Sequence, residues 1–525
     1  MKKTLTIIGL AAATLAGAQG ADEYWRTDGT AGGTWTSTYW NIGSANATGG
    51  TGWTASNNAV FTANSTLTFA TATVGNVTVA DGVTVTVTKA GTLSLGGVRT
   101  FDIGAGSALT WTTQPVTANS AAGITKNGAG TLNLGALTFS TNMNGGFTLN
   151  NGTLIVSGLK ALGNGALALN GGTLSSSGGN AFTTTSIAIG GDFTLAGTGN
   201  DNYDAATTIA LGSSTRTITN TTTAGSRQFR GLISGGAGAG LTFAGAGTGL
   251  TYIGNTGNTF TGPVAINGGE VVFNGDGALG ATTSVTIDGG RLTMGTMDTA
   301  GVVTALTSAT ISSSKNIFLG STASTAINIS GAAGATTYNG VIADKSGSTG
   351  AWAKQGTGTL SLGGANTYTG TTTVTSGTLL IEGAQSGSGT VTVQSGGTLG
   401  GDGSIAGSLS LASGAKFVFS LTKTFTVNGA SVSFGGFGIS NLVGLDFSAA
   451  NGTYALINGS AAFDFTNVSN VGPGSAFDLG SGKSAYFQTG GLNVVVVPEP
   501  KTCTLFGVGF AFMLWNLRRR RVFEG

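Results

Sequence analysis

Histidine is absent from all 525 residues. Its absence removes the histidine-based triads, the histidine zinc sites and the commonest general base in one step. The single cysteine, Cys503, stands near the C-terminus. The chain before it therefore has no thiol nucleophile and no disulfide, and must be held by backbone hydrogen bonds and a continuous core. Proline occurs only five times, which rules out a proline-rich stalk. Charge is scarce too: Asp, Glu, Lys and Arg make up 8% of the chain, against about 25% in ordinary globular proteins. Seven of the 22 basic and two of the 20 acidic residues fall in the terminal segments, so the stretch from Gln19 to Val497 carries a net charge of −3. No basic stripe is available to neutralise a phosphate backbone, and nucleic acid is not an expected partner.

What the chain has in quantity is glycine, 95 residues, with threonine, serine, alanine and asparagine. The apolar residues alternate with these, the pattern of half-buried strands. Short segments repeat one theme, a Gly turn followed by alternating apolar positions. They include Asn151-Gly152-Thr153-Leu154, Asn170-Gly171-Gly172-Thr173-Leu174, Asn267-Gly268-Gly269-Glu270-Val271, Asp288-Gly289-Gly290-Arg291-Leu292, Ser376-Gly377-Thr378-Leu379 and Ser395-Gly396-Gly397-Thr398-Leu399. Thr153 precedes Thr173 by 20 residues, Gly269 precedes Gly290 by 21, and Thr378 precedes Thr398 by 20. A period near 20 without a helical signal gives one strand-solenoid turn per unit, because a single unit cannot bury its own apolar face and stacked units can. Gly and Asn supply the turn conformations. The expected fold is all-β, a solenoid over residues 61–415.

The fullest unit runs Lys354-Gln355-Gly356-Thr357-Gly358-Thr359-Leu360-Ser361-Leu362, then Asn366-Thr367-Tyr368-Thr369-Gly370, then Gly377-Thr378-Leu379. It resembles the autotransporter-associated β-strand repeat on Gly356, Gly358, Thr359, Leu360, Leu362, Asn366, Tyr368, Gly370, Gly377 and Leu379. A looser copy spans Asn258 to Val271, and a degenerate one starts at Lys126. The resemblance implies a right-handed parallel β-helix of the kind found in passenger stalks. The long run of alternating strands that would form a membrane β-barrel does not follow the repeats.

Both termini read as targeting segments. Residues 1–20 form an expected signal peptide: Lys2-Lys3, an apolar stretch from Leu5 to Leu15, then Ala16-Gly17-Ala18 as the cleavage signature, with cleavage after Ala18 or, as second choice, after Gly20. Residues 498–525 carry Pro498-Glu499-Pro500, an apolar run from Thr502 to Leu517, and Arg518-Arg519-Arg520-Arg521. The arginines hold the basic end in the cytoplasm. The run supplies an expected transmembrane helix, short against the ~20 residues that span a bilayer comfortably. These three parts resemble the PEP-CTERM sorting signal, which implies an exosortase-type enzyme as partner and an inner-membrane-anchored precursor on the way to the cell surface or matrix.

Two flanking regions break the repeat rhythm. Residues 21–60 gather Trp25, Trp35, Trp40 and Trp53 with Tyr24 and Tyr39, as expected for an N-terminal cap over the open end of a solenoid. A platform for stacking sugar rings is the alternative. Residues 416–497 are richer in phenylalanine and point to a small β-sandwich-like region. Candidate chemistry is sparse. Gly482-Lys483-Ser484 lacks the rest of a phosphate loop and reads as a hairpin turn. Asn274-Gly275-Asp276-Gly277 and Gly400-Gly401-Asp402-Gly403 are incomplete calcium-roll motifs and read as turns. The one conspicuous charge cluster is Asp201, Asp204, Arg216, Arg227 and Arg230. Clustered carboxylates and arginines on adjacent coils are what a polysaccharide-cleaving β-helix needs, but surface ion pairs give the same pattern. Three readings follow, in this order: a non-enzymatic surface or matrix spacer or adhesin without cofactor or metal, a surface protein that binds extracellular polysaccharide, and a polysaccharide-degrading enzyme.

Overall fold

The computed structural model describes residues 21–499 apart from 26–31, 35–39, 43–54, 69–71, 89–92, 112–115, 119–121, 136–143, 158–161, 179, 183, 204–206, 305, 307–308, 323–324 and 330–333. The chain divides into two compact units between Leu306 and Thr307. Both are stacks of short parallel strands, and helix accounts for only 3% of the described residues.

In the first unit three faces wind around one core. Along one face, parallel strands stack from Asp22–Trp25 through Asn58–Phe61, Val77–Val79, Val98–Ile103, Gly123–Asn127, Gly146–Leu149, Leu167–Leu169, Ser186–Ile189 and Thr208–Ala210 to Leu232–Ser234. A second face carries Thr131–Asn133, Thr153–Val156, Thr173–Ser176 and Phe193–Gly197 in succession. The third runs from Asp201–Tyr203 through Ser226–Phe229, Leu250–Ile253 and Glu270–Phe273 to Arg291–Met294. Parallel pairing requires a crossover between partners, and the rest of each coil supplies it. In the second unit the same arrangement puts Ala335–Tyr338, Thr359–Leu362, Gly377–Ile381, Gly397–Gly400 and Lys416–Val418 on one face.

The repeat spacing is the coil length. Thr131, Thr153, Thr173 and Thr194 sit directly over one another, and so do Leu132, Leu154, Leu174 and Leu195. In the second unit Thr359, Thr378 and Thr398 form one column, and Leu360, Leu379, Leu399 and Phe417 the next. All four residues of this second column are buried. Leu360→Asp is therefore expected to lower the thermal midpoint far more than Thr359→Asp, since only the former drives an unpaired charge into the core. Equal shifts would reverse the inward register.

Gly supplies the left-handed turn residues, as at Gly356 (φ 73°) and Gly377 (φ 65°). Asn does something else. The Asn150 side-chain amide donates to Asn127 Oδ1 at 2.8 Å, and that of Asn170 donates to Asn150 Oδ1 at 2.8 Å. The turn asparagines thus tie successive coils together at their corners. Among the described residues the only non-glycines with positive φ are Ser56, Asn470 and Ser481, none of them in a repeat turn.

The C-terminal region departs from the sandwich-like expectation. Coils continue beyond residue 415, with Phe425–Val427, Ser431–Phe434, Leu442–Val443, Gly452–Asn458 and Ala462–Phe463 each pairing in parallel with the coil before. The sheet then turns antiparallel, in the order Gly452–Asn458, Leu492–Pro498, Lys483–Gln488, Phe477–Gly480. Several of the extra phenylalanines pack within the last coils rather than in a second sheet layer, while Phe447 and Phe477 stay exposed: Phe417 lies edge-on to Phe425, and Phe437 is tilted against Phe434 and stacked on Phe487. At the other end, Trp25 is buried with its ring 6.4 Å from that of Phe61, and Trp40–Ile42 pairs antiparallel on Asp22–Trp25. Tyr39, Trp35 and Trp53 lie outside the described residues.

Candidate functional site

The residues quoted from the fullest repeat form one coil, from Gly356 to Gly370, and the turn and strand of the next, Gly377 and Leu379, with a charged group between the two turns. Trp352–Gln355 alternates inward and outward, which turns Trp352 and Lys354 into the core. Lys354 lies in an otherwise apolar column, between Ile327 and Val374 and followed by Val393. Its ammonium donates to the carbonyl oxygens of Gln355 at 2.9 Å, Gly356 at 2.9 Å and Ser376 at 3.2 Å. One cation thereby closes its own turn and grips the turn of the next coil. Gly356 and Gly377 stand at those two turns. A side chain at Gly356 would strike the Ile329 carbonyl of the coil beneath, and one at Gly370 would come within 2.6 Å of the Ala351 backbone nitrogen. Gly358 N–H donates to Ile329 O, and Gly358 O accepts from Thr378 N–H.

The same device occurs in the first unit. Lys126 sits in the column Val77, Phe101, Lys126, Leu149. It donates to the carbonyls of Asn127 at 2.5 Å, Gly128 at 2.8 Å and Asn151 at 3.2 Å. Both lysines are fully buried, and burial pushes each down to about 8 from the usual lysine range. Three carbonyls offset the cost of placing a cation there. The two lysines are visible in the sequence only as the polar start of each repeat. The signal that exposes their role is phase: Lys354 falls two residues after Trp352, and Lys126 two after Ile124, on the inward side of an alternating strand.

Asn366 and Tyr368 serve the same coil. Asn366 Oδ1 accepts the Ile342 N–H at 2.9 Å. In the looser copy, Asn258 Oδ1 accepts the Ile233 N–H at 2.8 Å and its amide donates to Ala278 O at 3.0 Å. Tyr368 is buried edge-on to Trp352. Its hydroxyl meets Thr372 Oγ1 at 2.7 Å and Gln385 Oε1 at 2.8 Å. The looser copy has Phe260 in place of Tyr368 and Val264 in place of Thr372, so hydroxyl and partner are lost together, as buried polar groups require.

The charge cluster does not assemble into a cleft. Asp201 and Arg227 are both fully buried and face each other at 3.1 Å. Ser176 Oγ donates to Asp201 Oδ1 at 2.8 Å. The guanidinium also donates to Ala196 O at 2.6 Å and to Gly199 O. Burial pushes the Asp201 carboxyl up to about 6 against the pull of Arg227 and Ser176. Tyr203 and Phe229 stack at 4.6 Å, two residue pairs further along the same two strands. The other arginines go elsewhere. Arg216 donates to Leu211 O. Arg230 bonds Gln228 and Met297 O and lies over the Tyr252 ring at 5.1 Å. Asp204 falls outside the described residues. The pair is thus an interior tie between two coils rather than a solvated face.

Gly482-Lys483-Ser484 is the turn and first strand residues of a hairpin between Phe477–Gly480 and Lys483–Gln488. No group of three or more potential metal ligands exists among the described residues. Of the terminal motifs, Pro498 and Glu499 are described. Ala16, Ala18, Pro500, the apolar run and Arg518 to Arg521 lie outside the described residues. Among the described residues no helix is long and apolar enough to cross a membrane.

No curated protein and no solved structure matches the chain. The family model described as passenger-associated-transport-repeat matches residues 124–156 and 353–381. Those two stretches are the coils that begin at Lys126 and Lys354; the copy from Asn258 to Val271 lies outside them. The chain therefore carries two autotransporter-passenger-type repeats within a parallel β-solenoid, which points to an exported, surface-displayed protein.

Proposed function

We propose that this protein is a non-enzymatic surface or extracellular-matrix solenoid, a spacer or adhesin, sorted through its C-terminal Pro-Glu-Pro segment. The observation that carries the reading is the pair of passenger-type repeats, each folded as a coil closed by an internal lysine. Such a coil uses its polar chemistry inward, to hold the stack, and leaves a Thr- and Asn-rich exterior of low charge. The terminal segments supply the route: a signal peptide ending at Ala18, then an apolar run with four arginines that holds the precursor in the inner membrane for an exosortase-type enzyme.

The test is the C-terminus of released material, read by mass spectrometry. Wild type is expected to end near Pro498. Pro498→Ala and Glu499→Ala should leave a full-length species in the inner membrane, because both residues lie outside the apolar run and contribute little to insertion. Replacing Arg518 to Arg521 with Gln should instead misplace the C-terminus. Normal tail removal in Pro498→Ala and Glu499→Ala removes the sorting assignment. Retention of soluble glycans by the secreted body in a binding assay would move the reading from spacer to polysaccharide binder.

A further inference from the structure

The Pro-Glu-Pro segment does not begin in a free linker. Strand Leu492–Pro498 runs between Gly452–Asn458 and Lys483–Gln488, with Val496 opposite Gly452 on one side and Val497 and Pro498 opposite Ser484 and Lys483 on the other. One residue further on, the Glu499 N–H donates to Gly482 O at 2.8 Å. Antiparallel rungs alternate between hydrogen-bonded and non-bonded pairs. With Glu499 opposite Gly482 bonded, Pro498 takes the non-bonded rung, where a missing N–H costs nothing. The proline is thus fitted to the ladder. The receiving turn is held in shape by Ser481 (φ 52°) and Gly482 (φ 74°). The outward face here is also formed: Asp478, Ser484, Tyr486, Val497 and Glu499 line a surface cleft of about 420 Å³. A hydrogen bond with Asp478, and the charge of that residue, raise the Glu499 carboxyl.

We propose that the C-terminal sheet guards the processing segment: Glu499 is its last rung, and a peptidase reaches the bonds beside it only after Val497–Glu499 peels from the Gly480–Lys483 turn. This rests on the sorting reading above. The physical reason is that a peptidase takes an extended segment with free backbone groups, whereas Val497 and Glu499 have theirs committed to a sheet edge. Residues before Val497 are paired on both sides and are closed to such an enzyme, so recognition is confined to the strand end and beyond.

The experiment locks the rung. Ser484→Cys/Val497→Cys joins directly opposed residues, which lie about 5.5 Å apart at a bonded rung, within disulfide range. Cys503→Ser removes the competing thiol. Full-length precursor in membranes is exposed to a peptidase that cleaves after lysine, whose cleft must take Pro498–Lys501 as an extended segment, and cutting at Lys501 is followed by mass spectrometry, oxidised and then reduced. Oxidation should slow cutting by on the order of tenfold, and reductant should restore it, since cutting of a folded chain tracks its open population. The reversal separates locking from misfolding. In producing cells, tail removal should fall by a similar factor while the disulfide is present. Equal cutting before and after reduction overturns the guard. So does guarded cutting with unaltered tail removal. If the unlocked chain loses no tail in cells, the sorting reading fails and takes the processing role with it, while redox-dependent cutting still reports the docked rung.

Discussion

Lys354→Met is expected to destabilise the second unit by about 3 kcal/mol or more, because it strips the ammonium from three carbonyls at once, of which Gly356 O keeps only a long bond from Ser376 Oγ at 3.3 Å, and each unsatisfied buried acceptor costs about 1–3 kcal/mol. Methionine matches the length of the lysine stem and removes only the ammonium, so the loss reports the hydrogen bonds to Gln355, Gly356 and Ser376 rather than a cavity. The effect should be local. Amide exchange should accelerate first in Thr359–Leu362 and Gly377–Ile381, the strands that follow the two gripped turns. The exposed Lys416 gives the control, and Lys416→Met should change stability by less than about 0.5 kcal/mol. Equal responses at the two positions would show that the buried ammonium does not hold the turns.

Asp201→Asn should be the most damaging change in the first unit. It leaves the Arg227 guanidinium charged and almost wholly enclosed, a situation that costs about 3–5 kcal/mol in buried ion pairs. The double variant Asp201→Leu/Arg227→Met should recover much of that loss, since it removes both charges and restores apolar packing beside the Tyr203–Phe229 stack. Recovery will be incomplete, because Ala196 O and Gly199 O lose their donor. Urea unfolding of the three proteins measures the difference. A double variant no better than Asp201→Asn would mean that the pair contributes shape or specificity beyond its charge balance.

Much of this architecture was legible before any coordinates. The period of 20 or 21 residues is set by the length of one coil, so it had to appear in the sequence, and the columns Thr153–Thr173 and Leu360–Leu379–Leu399 are that period seen in space. The inward register follows from strand alternation, which fixes Leu360 as buried and Thr359 as its outward neighbour. The hairpin at Gly482 was legible for the same local reason, a glycine turn between alternating segments. The absence of histidine and the terminal position of the lone cysteine likewise belong to the sequence alone.

What the sequence could not decide depends on which coil lies beneath which. Lys126 and Lys354 are ordinary polar residues until Asn151 and Ser376, 25 and 22 residues later, arrive over them with carbonyls turned inward. Asp201 and Arg227 look like a solvated cluster along the chain; stacking of adjacent coils encloses them instead, and desolvation turns a surface pair into an interior tie. The phenylalanines after residue 415 suggested a separate layer because composition records how much apolar surface must be buried, not against what. Pro498 and Glu499 read as part of a sorting signal and not as strand, since proline and glutamate are poor strand residues. Only the antiparallel register, with a non-bonded rung opposite Lys483, makes room for that proline at the end of a sheet.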